Sequence, residues 1–156
     1  MANLDGVRPR TLPLLDPDEA VALLGRIAGT SRIAAEPDPA AEVARIADHL
    51  CRWADGGKVQ LIVTTGGTGL GPRDFTPQAT RSVLDYEIPG FGEQRRAAGR
   101  RSTPLADLSR SLAGVLGRAL VVAVPGSPRG ALESLAAIEP LIEHALETLG
   151  GDTEHS

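Results

Sequence analysis

From Val59 to Pro77 the chain reads VQLIVTTGGTGLGPRDFTP. The apolar, β-branched run at its start predicts a buried strand over residues 59–65, which ends abruptly in glycines. The pair Thr76-Pro77 then predicts the start of a helix. Strand, glycine loop and helix commonly bind an anionic ligand, because glycines let it approach backbone N–H groups and the helix N-terminus adds partial positive charge.

Length and composition indicate one domain with an aliphatic core. The chain has 156 residues, 42% of them hydrophobic and only 3% aromatic, enough for a single domain with a real core. We therefore expect a flexible leader over residues 1–10, one domain over residues 11–150 and a polar tail over residues 151–156.

Charge and residue usage exclude several classes of protein. The net charge of −4 argues against general nucleic-acid binding, which needs a basic face. Cys51 is the one cysteine and the three histidines are scattered, so neither an intrachain disulfide nor a zinc signature is expected. Neither a membrane-spanning apolar run nor a signal-peptide pattern is present. We expect a cytoplasmic protein with no membrane partner.

Strands alternate with helices along the chain. The run ALVVAV over residues 119–124 predicts a second buried strand, and weaker strand patterns cover residues 11–15 and 31–35. Helices are expected over 16–29, from Asp38 to Asp55, from Thr76 through Tyr86, from Thr103 through Val115 and over 130–149, with a glycine turn over 88–93. This alternation predicts a three-layer α/β/α fold with a central, mostly parallel sheet.

Both strong strands end in glycine-bearing loops, Gly66–Gly69 and Gly126-Ser127. Ligands of open α/β sheets lie beyond the carboxyl ends of the strands, so we expect these loops to line one crevice. The hydroxyl groups of Thr65, Thr68 and Ser127 would add donors to the backbone amides. The chain lacks the lysine and hydroxyl pair of a P-loop and has no G-x-G-x-x-G motif, so a Rossmann site is not supported.

Asp74 is the first candidate catalytic residue. A carboxylate in a phosphate-binding loop repels the ligand unless it holds a cation or transfers a proton. With a second acid, Asp74 would hold a magnesium ion between protein and phosphate. The alternative interpretations are an ion pair with Arg73 and a cap on the helix that starts at Thr76.

The other charged candidates each have a structural alternative. Asp38 precedes Pro39 as a helix N-cap would, a role that is compatible with facing the crevice. Glu93 is either catalytic or part of a helix start, and Phe91 either stacks on a ligand ring or, as we favour, packs in the core. The basic cluster would receive an anionic substrate or form a solvated surface, which we favour; its members are Arg95, Arg96, Arg100 and Arg101.

Several motifs occur together in the order typical of one family. They are TTGGTG at 64–69, RDFTP at 73–77, PGFGE at 89–93, TPL…LSR at 103–110 and PGSP at 125–128. Over about residues 38–149 the chain thereby resembles the MogA/MoaB family of molybdenum cofactor biosynthesis.

This resemblance implies a MogA-like, molybdopterin-binding α/β domain, usually trimeric. It also implies molybdopterin adenylyltransferase activity, in which ATP and magnesium activate the pterin before a molybdate-insertion enzyme acts. The family's two functional aspartates fall on Asp38 and Asp74, which would also hold the magnesium. Other family positions lining the pterin and nucleotide crevice fall on Thr65, Gly66, Gly67, Thr68, Gly69, Glu93, Gly126 and Ser127.

The front of the chain departs from the family pattern. Members usually open with a β-branched strand ending in Ser-Asp and a glycine- and acid-containing loop, whereas here Leu12-Pro13-Leu14-Leu15-Asp16 runs directly into Pro17. The alternative hypothesis is therefore a non-catalytic molybdopterin-binding or assembly member with a degenerate nucleotide site. A nucleotide-processing domain of the related damage-inducible type is less favoured, because it would carry a second domain.

Overall fold

A computed structural model describes residues 38–151. Within this range the elements are α1 Pro39–Asp55, β1 Leu61–Thr65, α2 Thr76–Val83, β2 Tyr86–Glu87, α3 Pro89–Gly99, a 3₁₀ helix Pro104–Leu108, β3 Ala113–Leu116, β4 Ala119–Val124 and α4 Pro128–Gly150. None of these helices combines the length and the apolar character that crossing a membrane requires. The strands and helix expected over residues 11–35 lie outside the described range.

The described strands form one mixed sheet in the order β1-β4-β3-β2. Strands β1 and β4 are parallel, with Thr65 opposite Val124 at their carboxyl ends. Strand β3 pairs antiparallel with both β4 and β2. The parallel pair therefore brings the starts of the two glycine loops to the same edge of the sheet.

Helices cover both faces of β4, all of whose residues are buried. One face carries a cluster that includes Phe91, Ala113, Leu120, Val122, Val124, Ala131, Ile138 and Ile142. The other face carries Leu50, Ile62, Ala119 and Val121. Alternate residues of β4 thus point toward α3 and α4 on one side and toward α1 on the other. The predicted α/β/α class is confirmed, and the run over residues 119–124 is the central strand.

Local start and stop signals place several helices correctly. Asp38 Oδ1 accepts a hydrogen bond from the Ala40 amide at 3.1 Å, so the predicted N-cap is confirmed. Ser127 Oγ caps α4 by accepting from the Gly130 amide at 3.3 Å, and Pro128 occupies its first turn. Helix α1 ends at Asp55, just before two glycines. These signals are local, which is why the sequence alone reveals them.

The helix expected from Thr103 through Val115 is wrong. A 3₁₀ helix covers only Pro104–Leu108, and residues 113–116 form β3. Gly117, with φ of +60°, begins the two-residue turn that joins β3 to β4 in a hairpin, a connection that favours glycine. A short apolar run does not by itself distinguish strand from helix, and this hairpin makes the described part of the sheet mixed rather than mostly parallel.

Two boundaries near residue 88 also differ from expectation. The predicted glycine turn is instead the first part of α3, with Pro89 in the first turn, where its missing N–H costs nothing. Helix α2 ends at Val83, because the backbone becomes extended at Leu84. Tyr86 consequently lies on strand β2, 56% exposed, rather than in the helix that begins at Thr76.

We predict that Gly114→Ala lowers the free energy of unfolding by about 2 kcal/mol, because an added methyl group has no room there. A Cβ at Gly114 would overlap the Tyr86 carbonyl oxygen and lie 2.5 Å from Leu84 Cδ1. The matched control is Gly90→Ala in α3, where no atom lies within 4 Å of the new Cβ. Urea denaturation of both variants measures the difference, and equal stabilities would contradict the prediction.

Candidate functional site

The two glycine loops touch where β1 and β4 end. The Gly66 amide donates to the Val124 carbonyl at 3.0 Å, which extends the parallel ladder into the loop. Thr65 Oγ1 donates to the Pro125 carbonyl at 3.0 Å. A Cβ on Gly126 would lie only 3.1 Å from Gly66 Cα. Glycine at both positions allows the two backbones to approach this closely.

Steric limits fix the conformation of the loop after β1. Gly66 and Gly67 have φ of +89° and +65°, a region that L side chains rarely adopt. A Cβ on Gly67 would also overlap Thr76 Oγ1. That hydroxyl donates to the Gly66 carbonyl at 2.9 Å and so ties the loop to the start of α2.

A cavity of about 420 Å³ opens beside these loops. Its walls come from the glycine loop, α3, the segment before β3 and the first turns of α4. Hydroxyl groups and arginines mix there with apolar side chains; they include Thr68, Leu70, Arg95, Arg96, Thr103, Leu105, Leu108, Ser109, Ser111, Ser127 and Ser134. This composition suits a ligand that combines apolar surface with charged groups.

Three of the predicted binding residues line this cavity, namely Thr68, Gly69 and Ser127. The others lie outside its wall: Asp38, Thr65, Gly66, Gly67, Asp74, Glu93 and Gly126. Among the described residues, no acceptor receives the amide N–H groups of Gly67, Thr68 and Gly69. Those donors remain available to an anion.

Arg110 holds the glycine loop in place, a role that local sequence did not reveal. Its Nε donates to the Gly69 carbonyl at 2.7 Å and its Nη2 to the Asp74 carbonyl at 2.6 Å. Its backbone amide also donates to the Thr68 carbonyl at 2.8 Å. Three loop carbonyls thus face Arg110. The partners lie more than 35 residues away in sequence, so no spacing pattern could have identified them.

The Asp74 carboxylate closes its own loop. Its Oδ2 accepts from the Gly71 amide at 2.7 Å, and the Asp74 amide donates back to the Gly71 carbonyl at 3.1 Å. Neither predicted alternative occurs in the described part of the chain, because Phe75 occupies the N-cap position of α2 and no ion pair joins Asp74 to Arg73. A Cβ on Gly69 or Gly71 would lie 2.8–2.9 Å from Asp74 Oδ2. The carboxylate therefore requires both glycines.

Asp38 and Asp74 could each supply only part of the ligand set of a magnesium ion. Within residues 38–151 no group of three or more His, Cys, Asp or Glu side chains is placed to hold a metal ion. Each aspartate uses one oxygen, Asp38 for its cap and Asp74 for its loop, so each retains a second oxygen. Because Mg²⁺ commonly binds through one or two carboxylates plus substrate phosphates, both residues fit that limited role.

The favoured interpretation of the basic cluster as a solvated surface holds for Arg100 but not for Arg95. Arg100 is exposed and forms an ion pair with Asp107 at 2.8 Å, whereas Arg95 is only 5% exposed. Arg95 Nε donates to the Phe91 carbonyl at 3.3 Å and Nη1 to the Ala123 carbonyl. Burial, together with the charge of Arg96, lowers the pKa of Arg95 to about 10. Phe91 itself is buried in the core, as favoured.

Residues 37–144 match a family described as a probable molybdopterin binding domain. The chain belongs to this family, the MogA/MoaB family. The match covers every described element except the last residues of α4. The resemblance inferred from the motifs is thereby confirmed.

Solved structures and curated relatives agree with this assignment. The molybdopterin biosynthesis enzyme MoaB from Thermus thermophilus is 52% identical, with a TM-score of 0.65 over 70% of this chain and 69% of that one. A molybdopterin adenylyltransferase from Helicobacter pylori is 38% identical over 69% of this chain and 61% of its own length. The Escherichia coli protein of the same name is 42% identical over 63% of this chain and 50% of its own length. The chain thus spans less than two thirds of these curated relatives.

We predict that Arg110→Met loosens the glycine loop. The variant loses two charge-assisted hydrogen bonds to loop carbonyls, which should cost about 2 kcal/mol of stability. Hydrogen exchange at the Gly71 and Asp74 amides should accelerate, because both take part in the loop that Arg110 holds. The control is Arg118→Met, an exposed arginine in the β3–β4 turn. Unchanged protection at both amides would show that Arg110 does not hold the loop.

Proposed function

We propose that this protein is a molybdopterin adenylyltransferase that uses ATP. The proposal rests on one observation above all, the cavity beside two glycine loops in direct contact, with hydroxyl groups and arginines in its walls. Relatives named for this activity, 38–42% identical, support it.

The reaction brings together two anionic molecules. A terminal phosphate oxygen of the pterin would attack the α-phosphorus of ATP; the new P–O bond forms as the bond to the β-phosphate breaks, and pyrophosphate leaves. Because the attacking phosphate is already ionised, the protein needs no strong general base. Its task is to align the reactants and to offset their charge with preorganised donors.

Different walls of the cavity suit different parts of these molecules. The amides of Thr68 and Gly69, two residues of the cavity wall, and the adjacent Gly67 amide would donate to phosphate oxygens. The Ser127 region would add the N-terminus of α4. Leu70, Leu105 and Leu108, each more than half exposed, would pack against a flat ring. Magnesium, where bound through Asp38 or Asp74, would supply positive charge to the phosphates.

The family resemblance alone supports three further parts of the proposal. They are a homotrimeric assembly, a cytoplasmic location and delivery of the product to a molybdate-insertion enzyme. Glu93 and the remaining loop residues, including Thr65 and Gly126, stay predictions as parts of the pterin and nucleotide site.

We predict that Asp74→Asn reduces turnover at least ~100-fold, because the neutral amide would no longer hold a magnesium ion against the phosphates. The amide oxygen of Asn can still accept from the Gly71 N–H, so the loop should stay closed. The measurement is pyrophosphate release with molybdopterin and Mg-ATP. The matched control is Asp85→Asn, since Asp85 Oδ2 accepts from the Gly117 amide at 2.7 Å in the same way, in the β3–β4 turn.

The outcomes separate the competing hypotheses. Full turnover by Asp74→Asn would show that the carboxylate serves only to close the loop. If the unaltered protein binds molybdopterin but neither binds ATP nor releases pyrophosphate, the non-catalytic binding hypothesis replaces the enzyme.

A further inference from the structure

Arg95 is a buried cation without a neutralising partner in the described part of the chain. Its two satisfied nitrogens donate to backbone carbonyls, of Phe91 and Ala123, and its Nη2 has no acceptor among the described residues. No described carboxylate forms an ion pair with it. Burying a charge is costly unless it is paired, and arginine remains protonated at neutral pH. Within the described residues, the Arg95 guanidinium therefore lacks a counter-ion.

Arg95 is one of the residues that line the cavity. Arg95 and Arg96, which we call the α3 wall, both line it, together with Ser111. The guanidinium of Arg96 folds back over α3, since a Cβ on Gly92 would lie 3.1 Å from Arg96 Nη1 and 3.1 Å from the Ser111 carbonyl. Two cationic groups thus share one wall.

The remaining walls do not neutralise this charge. Glu133 is the one acidic side chain among the described residues that line the cavity, and it is already engaged by Arg129 at 2.8 Å and by the Ser102 hydroxyl at 3.3 Å. The 23-residue helix α4 starts in the same cavity at Ser127 and adds partial positive charge. The cavity is therefore locally cationic in a chain of net charge −4.

We propose that the α3 wall is the binding site for a phosphate group, with Arg95 as the residue that selects phosphorylated over unphosphorylated ligand. This inference rests on the proposed function, which supplies two sources of that group, the pterin's terminal phosphate and the phosphates of ATP. A planar guanidinium matches the geometry of phosphate oxygens. The phosphate would supply the counter-charge that Arg95 lacks among the described residues, while the glycine-loop amides are left for the other reactant.

The test compares phosphorylated and unphosphorylated ligands by calorimetry on the full chain. The ligands are molybdopterin and its dephosphorylated form, and ATP and adenosine. Arg95→Met should weaken binding of one phosphorylated ligand about tenfold to a hundredfold, with its unphosphorylated partner changed less than about twofold. If the molybdopterin pair shows this difference, the α3 wall binds the pterin phosphate. If the ATP and adenosine pair shows it, the α3 wall binds a nucleotide phosphate. Arg95→Lys, which keeps the charge but not the planar fork, should recover part of the loss.

A matched control and a structural readout accompany these measurements. Arg100→Met removes an exposed arginine from the end of the same helix, outside the cavity, and should leave every affinity unchanged. A purely structural role for Arg95 would weaken binding of both members of a pair equally, and that result would overturn the inference. Unchanged affinities in Arg95→Met would overturn it as well.

Inorganic phosphate distinguishes failure of this inference from failure of the proposed function. If the unaltered protein binds neither pterin nor nucleotide, the proposed function fails, but phosphate should still raise the melting temperature above that in chloride of equal ionic strength. The rise should disappear in Arg95→Met and persist in Arg100→Met. Equal melting temperatures of the unaltered protein in the two salts would then overturn the phosphate site too.

Discussion

The parallel pairing of β1 with β4 is the interaction on which the site depends. It continues past the strands through the hydrogen bond from the Gly66 amide to the Val124 carbonyl, so the chain leaves both strands at the same level. Register therefore decides which residues of the two loops meet. A one-residue shift in the register of β1 against β4 would exchange the two faces of a strand and would separate Gly66 from Gly126. The hydrogen-bond ladder between β1 and β4 thus determines both the packing of the core and the position of the two loops.

Charge is distributed unevenly around that framework. The chain as a whole is acidic, yet Arg95, Arg96 and the start of α4 lie on one cavity. The carboxylates of Asp38 and Asp74 are held outside the cavity wall by hydrogen bonds to backbone amides. Separation of this kind lets an acidic protein attract anionic ligands locally, since short-range interactions at a partly enclosed site outweigh distant surface charge that solvent screens.

Features encoded by neighbouring residues could be read from the sequence, and features made by distant residues could not. The Asp38 cap and the strand over residues 119–124 depend on local chemistry, and the sequence located both. The β3–β4 hairpin was missed because its apolar residues also fit helical spacing. The Arg110 side chain binds the Gly69 carbonyl 41 residues away, and Arg95 binds the Ala123 carbonyl 28 residues away. Nothing near Arg95 in sequence distinguishes it from the exposed Arg100.

The glycines of the first loop can be required for two reasons, the shape of the loop and the approach of a ligand. The sequence motif alone does not distinguish these reasons. Gly67 leaves room for the Thr76 hydroxyl, and Gly69 and Gly71 leave room for the Asp74 carboxylate. The loop would therefore need these residues to hold its shape even if no ligand approached. The amides of residues 67–69 nevertheless find no acceptor in the described part of the chain, so they can donate to a ligand. Geometry explains why the glycines are present. What indicates an anionic ligand is the set of free loop amides together with the buried Arg95 guanidinium, for which the described residues supply no carboxylate.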